Sequence, residues 1–392
     1  MGAELVSLSC LASRDVVLAS EENNLVYFLV ELTPSGPGGS VATNVCLVVD
    51  VSGSMYEEGR LDNVLLAAKH VVEVLRPVDT LALIPFATEA KVVLPATTNP
   101  DRARARTSID RIEETDVGGG TNMAKGMRLA LAELEKQLGT NRDNRVMLLT
   151  DGETSDEAEC RSLAESYAQK GIKCSTFGVG STFNETLLTT ISDATGGNAY
   201  YIDNPSRIPE LFQKEIGEAQ SVVVQRTRLR LLLPERIEVR RIWTVRPEIR
   251  DLGVKPVQGR LAEVFMGDLY QSETKSILAE VLLPPRRPNT YRVAGVEASF
   301  FVPGQGEIKL SQDLTIEYSD DPSRRREVNP QVMALLDRVS VFKMQTRALQ
   351  AAGAGDANLA TKLLGEAAAK TRRLGDPNLT RALEEAATEL QR

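Results

Sequence analysis

The sequence predicts a doubly wound, mostly parallel α/β sheet inserted in an all-β sandwich and followed by a C-terminal helical bundle or hairpin. Three observations carry this. Between residues 41 and 220, short apolar runs alternate with amphipathic helical stretches. On either side, residues 1–38 and 221–320 read as strands punctuated by Pro and Gly. From residue 328 onward the pattern is helical. The expected domains are therefore a discontinuous β-sandwich (1–38 and 221–320), an inserted α/β domain (40–220) and a helical segment (328–392). The first 38 residues are too short to fold alone, and an α/β unit with neighbouring termini permits such an insertion.

Residues 25–32 are rich in strand formers and end in a Pro/Gly loop cluster at 34–39. Continuous apolar runs at 45–49, 81–84, 146–149 and 174–179 suit strands buried on both faces of a parallel sheet. Residues 91–94 follow the second run too closely for a parallel crossover, which predicts an antiparallel edge strand. Leu61, Leu65, Ala68, Val72 and Leu75 form one helical stripe, and Met127, Leu131, Leu134 and Leu138 another. Further helices are expected from Asp101 to about Glu114 and at 156–170, 184–195 and 205–218. Short strands are expected at 228–233, 237–243, 277–283, 299–302 and 314–318. At the C-terminus, Val332, Leu335, Leu336, Val339 and Phe342 make a stripe. A repeat, Gly355-Asp356-Ala357-Asn358-Leu359 and Gly375-Asp376-Pro377-Asn378-Leu379, then marks two helix stops, each followed by a capping residue.

Composition narrows the function. The 392 residues carry 46 Lys+Arg and 54 Asp+Glu, a formal net charge of -8, which argues against a non-specific nucleic-acid binder. The single histidine, His70, lies in a helical pattern away from any nucleophile and reads as a helix-face residue. A Ser-His-Asp triad or multi-His metal site has no material elsewhere. Cys10, Cys46, Cys160 and Cys174 form no CxxC pair. No secretory signal and no run of about 18 apolar residues is present, so a cytoplasmic protein with reduced thiols and no membrane span is expected. The basic run 323–326 reads as a solvated linker.

The residues that carry chemistry sit where the parallel strands end. One strand runs into Asp50-Val51-Ser52-Gly53-Ser54, another into Thr150-Asp151-Gly152, and Gly118-Gly119-Gly120-Thr121 precedes a helix. In an open α/β sheet such segments meet in the crevice where strand order reverses. Asp50 and Asp151 bring carboxylates, and Ser52, Ser54 and Thr121 bring hydroxyls. An all-oxygen set selects a hard cation, Mg²⁺ or Mn²⁺ ahead of Ca²⁺. Because the hydroxyls are neutral, the cation stays electrophilic and should keep a position open for an acidic side chain of a partner protein. The bland alternative is that Ser54 and Thr121 cap the helices that follow them.

This pattern resembles the metal-ion-dependent adhesion site of von Willebrand factor type A domains, Asp-x-Ser-x-Ser, then Thr, then Asp. All five positions match, at Asp50, Ser52, Ser54, Thr121 and Asp151. The resemblance covers about 180 residues and implies an intact metal site and a protein-interaction module rather than an enzyme. The whole layout looks like that of bacterial cytoplasmic proteins with this domain set in a β scaffold. It also implies a second reading, an adaptor subunit serving a MoxR-type AAA+ ATPase or a Ser/Thr kinase-phosphatase system. A third reading is a metal-dependent hydrolase with Glu153 or Asp156 as base. A haloacid dehalogenase loop would need a second Asp where Ser52 stands, and no P-loop is present.

Overall fold

A computed structural model describes residues 5–19, 22–36, 41–139, 142–180, 182–254, 257–302, 305–326 and 328–390. Residues 37–39 of the predicted loop and the side chains of Arg325 and Arg326 lie outside the described set. The chain divides into two compact units, residues 37–223 and residues 1–36 together with 224–392.

Three strands open the chain: β1 (Val6–Ala12), β2 (Val16–Leu18) and β3 (Asn24–Pro34). The 37–223 unit then runs β4 (Ala42–Asp50), α1 (Arg60–Val74), β5 (Thr80–Phe86), β6 (Leu94–Thr98), α2 (Arg102–Asp110), α3 (Met123–Glu135) and β7 (Arg142–Thr150). It continues through α4 (Glu157–Gln169), β8 (Ile172–Val179), α5 (Glu185–Thr195), β9 (Ala199–Ile202) and α6 (Ile208–Gln220). Its sheet has the order β6-β5-β4-β7-β8-β9, parallel except for β6. This is the doubly wound sheet that the apolar runs predict. β4 alternates between two cores. Val45, Leu47 and Val49 pack with α1, α2 and α6, whereas Cys46 and Val48 pack with α3, α4 and α5. Full burial on both faces explains why these strands read as unbroken apolar runs.

The edge strand begins later than expected. Lys91 and Val93 donate backbone hydrogen bonds to Pro85 and Leu83 at 3.1 and 3.0 Å, but the regular antiparallel ladder includes Leu94↔Leu83 and extends to Thr98. A register shift between Leu81 and Leu83 interrupts it, and hydrophobicity alone does not reveal such an irregularity. The helix expected to reach Glu114 ends at Asp110, with Arg111 as its C-cap.

The other unit resumes with β10 (Val222–Leu232), β11 (Glu238–Arg246), β12 (Arg250–Gly253), β13 (Val257–Gln258), β14 (Leu261–Tyr270), β15 (Lys275–Leu283), β16 (Asn289–Val302) and β17 (Gly306–Ser319). These strands and the first three form two sheets, β1-β3-β15-β11-β12 and β13-β14-β10-β16-β17-β2. The first strands are built into both: β3 lies between β1 and β15, and β2 runs parallel to β17. Three helices follow, α7 (Pro330–Gly353), α8 (Ala357–Leu374) and α9 (Pro377–Glu389). The first half of α7 lays Val332, Leu335 and Val339 on Leu29, Trp243 and Leu278 of the first sheet. Its second half packs Val341, Ala348 and Ala351 against α8 and α9. The repeated Asp residues cap as predicted, Asp356 accepting from the Leu359 N–H at 2.9 Å and Asp376 from the Leu379 N–H at 3.0 Å. In the basic run, Arg324 turns back onto Glu317, with Nη2 to Oε2 at 3.0 Å. Among the described residues no helix is long and apolar enough to cross a membrane.

Candidate metal centre

β4 and β7 are parallel neighbours with Val49 beside Leu149. Strand order runs outward from this pair in both directions, and the helices that follow the two strands, α1 and α4, cover opposite faces. The carboxyl ends of β4 and β7 therefore flank the crevice at the switch point.

Asp50 closes β4 and is fully buried. Its Oδ1 accepts the Ser52 backbone N–H at 2.8 Å and its Oδ2 the Thr150 hydroxyl at 2.5 Å. Burial pushes its carboxyl up to about 6; the Thr150 and Ser52 hydrogen bonds oppose the rise and nearby Asp151 adds to it. The hydroxyls of Ser52 and Ser54 lie 3.4 Å apart. Ser54 Oγ donates to Asp151 Oδ1 at 2.8 Å. Asp151, also fully buried, accepts Arg60 Nη1 on Oδ2 at 2.6 Å. Thr121 stands beside the next residue of that turn, because a Cβ placed on Gly152 would lie 3.6 Å from Thr121 Oγ1. Asp50, Ser52, Ser54 and Asp151 thus form one hydrogen-bonded chain, with Thr121 against Gly152.

The loop before α3 is held by Thr88. Gly118 has φ +79°, and a Cβ there would come within 2.8 Å of the Thr88 side chain. Two residues on, the Gly120 N–H donates to Thr88 Oγ1 at 2.9 Å. The helix-capping alternative does not describe this geometry. α1 is capped by Gly59 and α3 by Asn122, whose side chain accepts from the Lys125 N–H at 3.1 Å. The hydroxyl of Ser54 goes to Asp151 instead.

The donor set is two carboxylates and three hydroxyls, without nitrogen or sulfur, which fits a hard divalent cation. Among the described residues no cluster of three or more His, Cys, Asp or Glu is arranged to hold a metal. Of the two bases weighed for hydrolysis, Asp156 is committed: its Oδ2 accepts the Ala124 N–H at 2.8 Å and its Oδ1 bonds Thr154. Glu153 is exposed. His70 lies on α1 facing α2, in a groove crossed by the Lys69–Asp110 and Arg106–Glu73 ion pairs.

Sequence reasoning missed Thr150 and Arg60. Thr150 has a signal, since parallel register sets it beside Asp50. Arg60 has none, because a charged residue at a helix start reads as solvated surface.

Residues 44–214 match the von Willebrand factor type A domain family, and residues 330–392 match the Sll0103-like, C-terminal alpha-helical domain. The chain is 29% identical over 302 residues to the uncharacterised protein sll0103 of Synechocystis sp., covering 74% of this chain and 70% of that protein. It is 28% identical over 252 residues to the uncharacterised protein YfbK of Escherichia coli, covering 62% of this chain and only 42% of that protein. A solved von Willebrand factor type A protein from Catenulispora acidiphila superposes with a TM-score of 0.73 at 21% identity, covering 96% of this chain and 88% of that one. At that identity the likeness is one of fold.

Proposed function

We propose that this chain, whose residues 44–214 form a von Willebrand factor type A domain, is a metal-dependent protein-interaction module and not an enzyme. The observation that carries the reading is the all-oxygen donor set at the switch point. Asp50, Ser52, Ser54, Thr121 and Asp151 would hold Mg²⁺ or Mn²⁺, ahead of Ca²⁺. When bound, the cation would supply a Lewis-acidic position for one outside oxygen. With three of five donors neutral, the best remaining ligand is a carboxylate, so the partner offers Asp or Glu. Commitment of Asp156 to Ala124 and Thr154 favours binding over hydrolysis. Four free, buried cysteines suit a reducing, cytoplasmic setting.

Calorimetric titration of chelator-stripped protein with Mg²⁺ or Mn²⁺ tests the site. Wild type should bind, and Asp50→Ala should lose binding. Partner recovery should fall with chelator or Asp151→Ala and return when Mg²⁺ or Mn²⁺ is added to wild type. A partner recovered equally from stripped and metal-loaded wild type would show that recognition lies elsewhere.

A further inference from the structure

We infer that Arg60 is the internal counter-cation of the metal-free site: its guanidinium occupies Asp151 until a divalent cation displaces it, and this exchange sets the metal affinity. The inference rests on the metal-site reading above. It begins with charge. Asp50 and Asp151 are both fully buried, and buried carboxylates need a cation or a proton. The cation within reach is Arg60, at 2.6 Å from Asp151 Oδ2, with its own side chain only 12% exposed.

The arm is built to let go. Arg60 Nε is buried without a hydrogen-bond partner, so the guanidinium is tethered only through its two terminal nitrogens. Nη1 takes Asp151, and Nη2 takes Glu58 at 3.0 Å. Glu58 is 70% exposed and sits in a left-handed turn, φ 52°, directly before the Gly59 cap of α1. A divalent cation at Asp151 repels the guanidinium, and Glu58, which already holds Nη2, keeps the arm anchored when Nη1 lets go. Gly180, at φ +80°, borders the guanidinium, and a Cβ there would lie in contact with it, 3.4 Å from Nη2. Metal uptake is then an exchange of one cation for another, weaker than for the same five donors without Arg60.

The test compares wild type with Arg60→Gln, Arg60→Lys and Glu58→Gln. Each is titrated calorimetrically with Mg²⁺ and with Mn²⁺ after chelator treatment, and melted with and without metal. Arg60→Gln should bind metal about tenfold more tightly, the change that relieving about 1.4 kcal/mol of competition gives. Its metal-free melting temperature should fall, and saturating metal should raise it by more than in wild type. Arg60→Lys should stay close to wild type. Glu58→Gln removes the charged anchor that receives the released guanidinium, from an exposed position, so it should bind metal about twofold or more weakly with the fold untouched. Were Arg60 merely structural, Arg60→Gln would lose stability with no gain in affinity. Equal or weaker affinity in Arg60→Gln overturns the inference while leaving the metal site standing. If Arg60→Gln does not fold, unchanged affinity in Glu58→Gln overturns it. Failure of wild type and all variants to bind metal would overturn the metal reading and this inference together.

Discussion

Glu215, fully buried on α6, meets four side chains at once. Arg145 Nη1 donates to it at 2.5 Å, Ser175 at 2.6 Å, Tyr200 at 2.9 Å and Asn198 at 3.1 Å. Burial alone would raise its carboxyl; Arg145 and the three hydrogen bonds outweigh that and hold it below the ordinary 4.5. A depressed carboxyl stabilises the fold above its unfolded value and loses that contribution as pH falls. Glu215→Gln should therefore cost about 3 kcal/mol at pH 7, the low end for breaking a buried pair, since Arg145 keeps Asp143. The gap between wild type and variant in urea unfolding should shrink below pH 4.5 by about 1.4 kcal/mol per unit. A gap that persists unchanged at low pH would deny the ionised carboxylate its role. None of this network was legible beforehand, because it joins residues 143, 145, 175, 198, 200 and 215 across four elements. Asp50, Ser52, Ser54, Thr121 and Asp151 were legible as candidates because they sit at or just past the carboxyl ends of β4 and β7 and just before α3. The ion pair between Arg60 and Asp151 spans 91 positions and carries no local pattern.

At the scale of elements, the sequence revealed period and burial better than close approach. The apolar runs of β4, β5, β7 and β8 were readable because two helical layers bury both faces. The start of β6 was not, since its first contacts are single backbone bonds before the ladder proper. Gly126 is a sharper case. In sequence it is only a weak spot in α3, and Ala would be the better helix former by about 1 kcal/mol. In the fold, a Cβ at that position would lie 2.8 Å from Val48 Cγ1 and 3.1 Å from the Phe86 ring. Both neighbours are fully buried, so neither side chain moves freely. Overpacking of this kind costs about 1–3 kcal/mol. Gly126→Ala should then lower stability, against its helix propensity, and the chemical-denaturation midpoint reads the sign directly. A gain would mean that α3 stands further from the sheet than these distances state. Because Thr121 and the Asn122 cap lie at the N-terminal end of the same helix, the same variant should also weaken the metal binding proposed for that site.

At the scale of the molecule, the two units have different claims to independence. Every strand of the 37–223 sheet lies between Ala42 and Ile202, and that sheet borrows nothing from outside its own segment. The fragment 41–223 should accordingly melt as one cooperative unit. The other unit depends on strands from both ends of the chain. β3 pairs with β15 along its length, from Asn24↔Leu283 to Lys275↔Leu32, and carries β1 on its far side. Without residues 1–36, β15 would present an unpaired edge and lose the cover of Val26, Phe28, Leu29 and Val30, all fully buried. β17 would also lose β2. An open apolar edge of that length pairs with whatever strand it meets. Fragment 224–392 should therefore aggregate or fail to melt cooperatively, even though α8 and α9 retain their core. Supplying residues 5–36 as a separate chain should recover part of the soluble fraction, because the register is set by side chains and not by the connection. A monomeric, sharply melting 224–392 fragment in size-exclusion and thermal measurements would show that the first strands are accessories, and that the second unit folds on the strands of residues 224–319 alone.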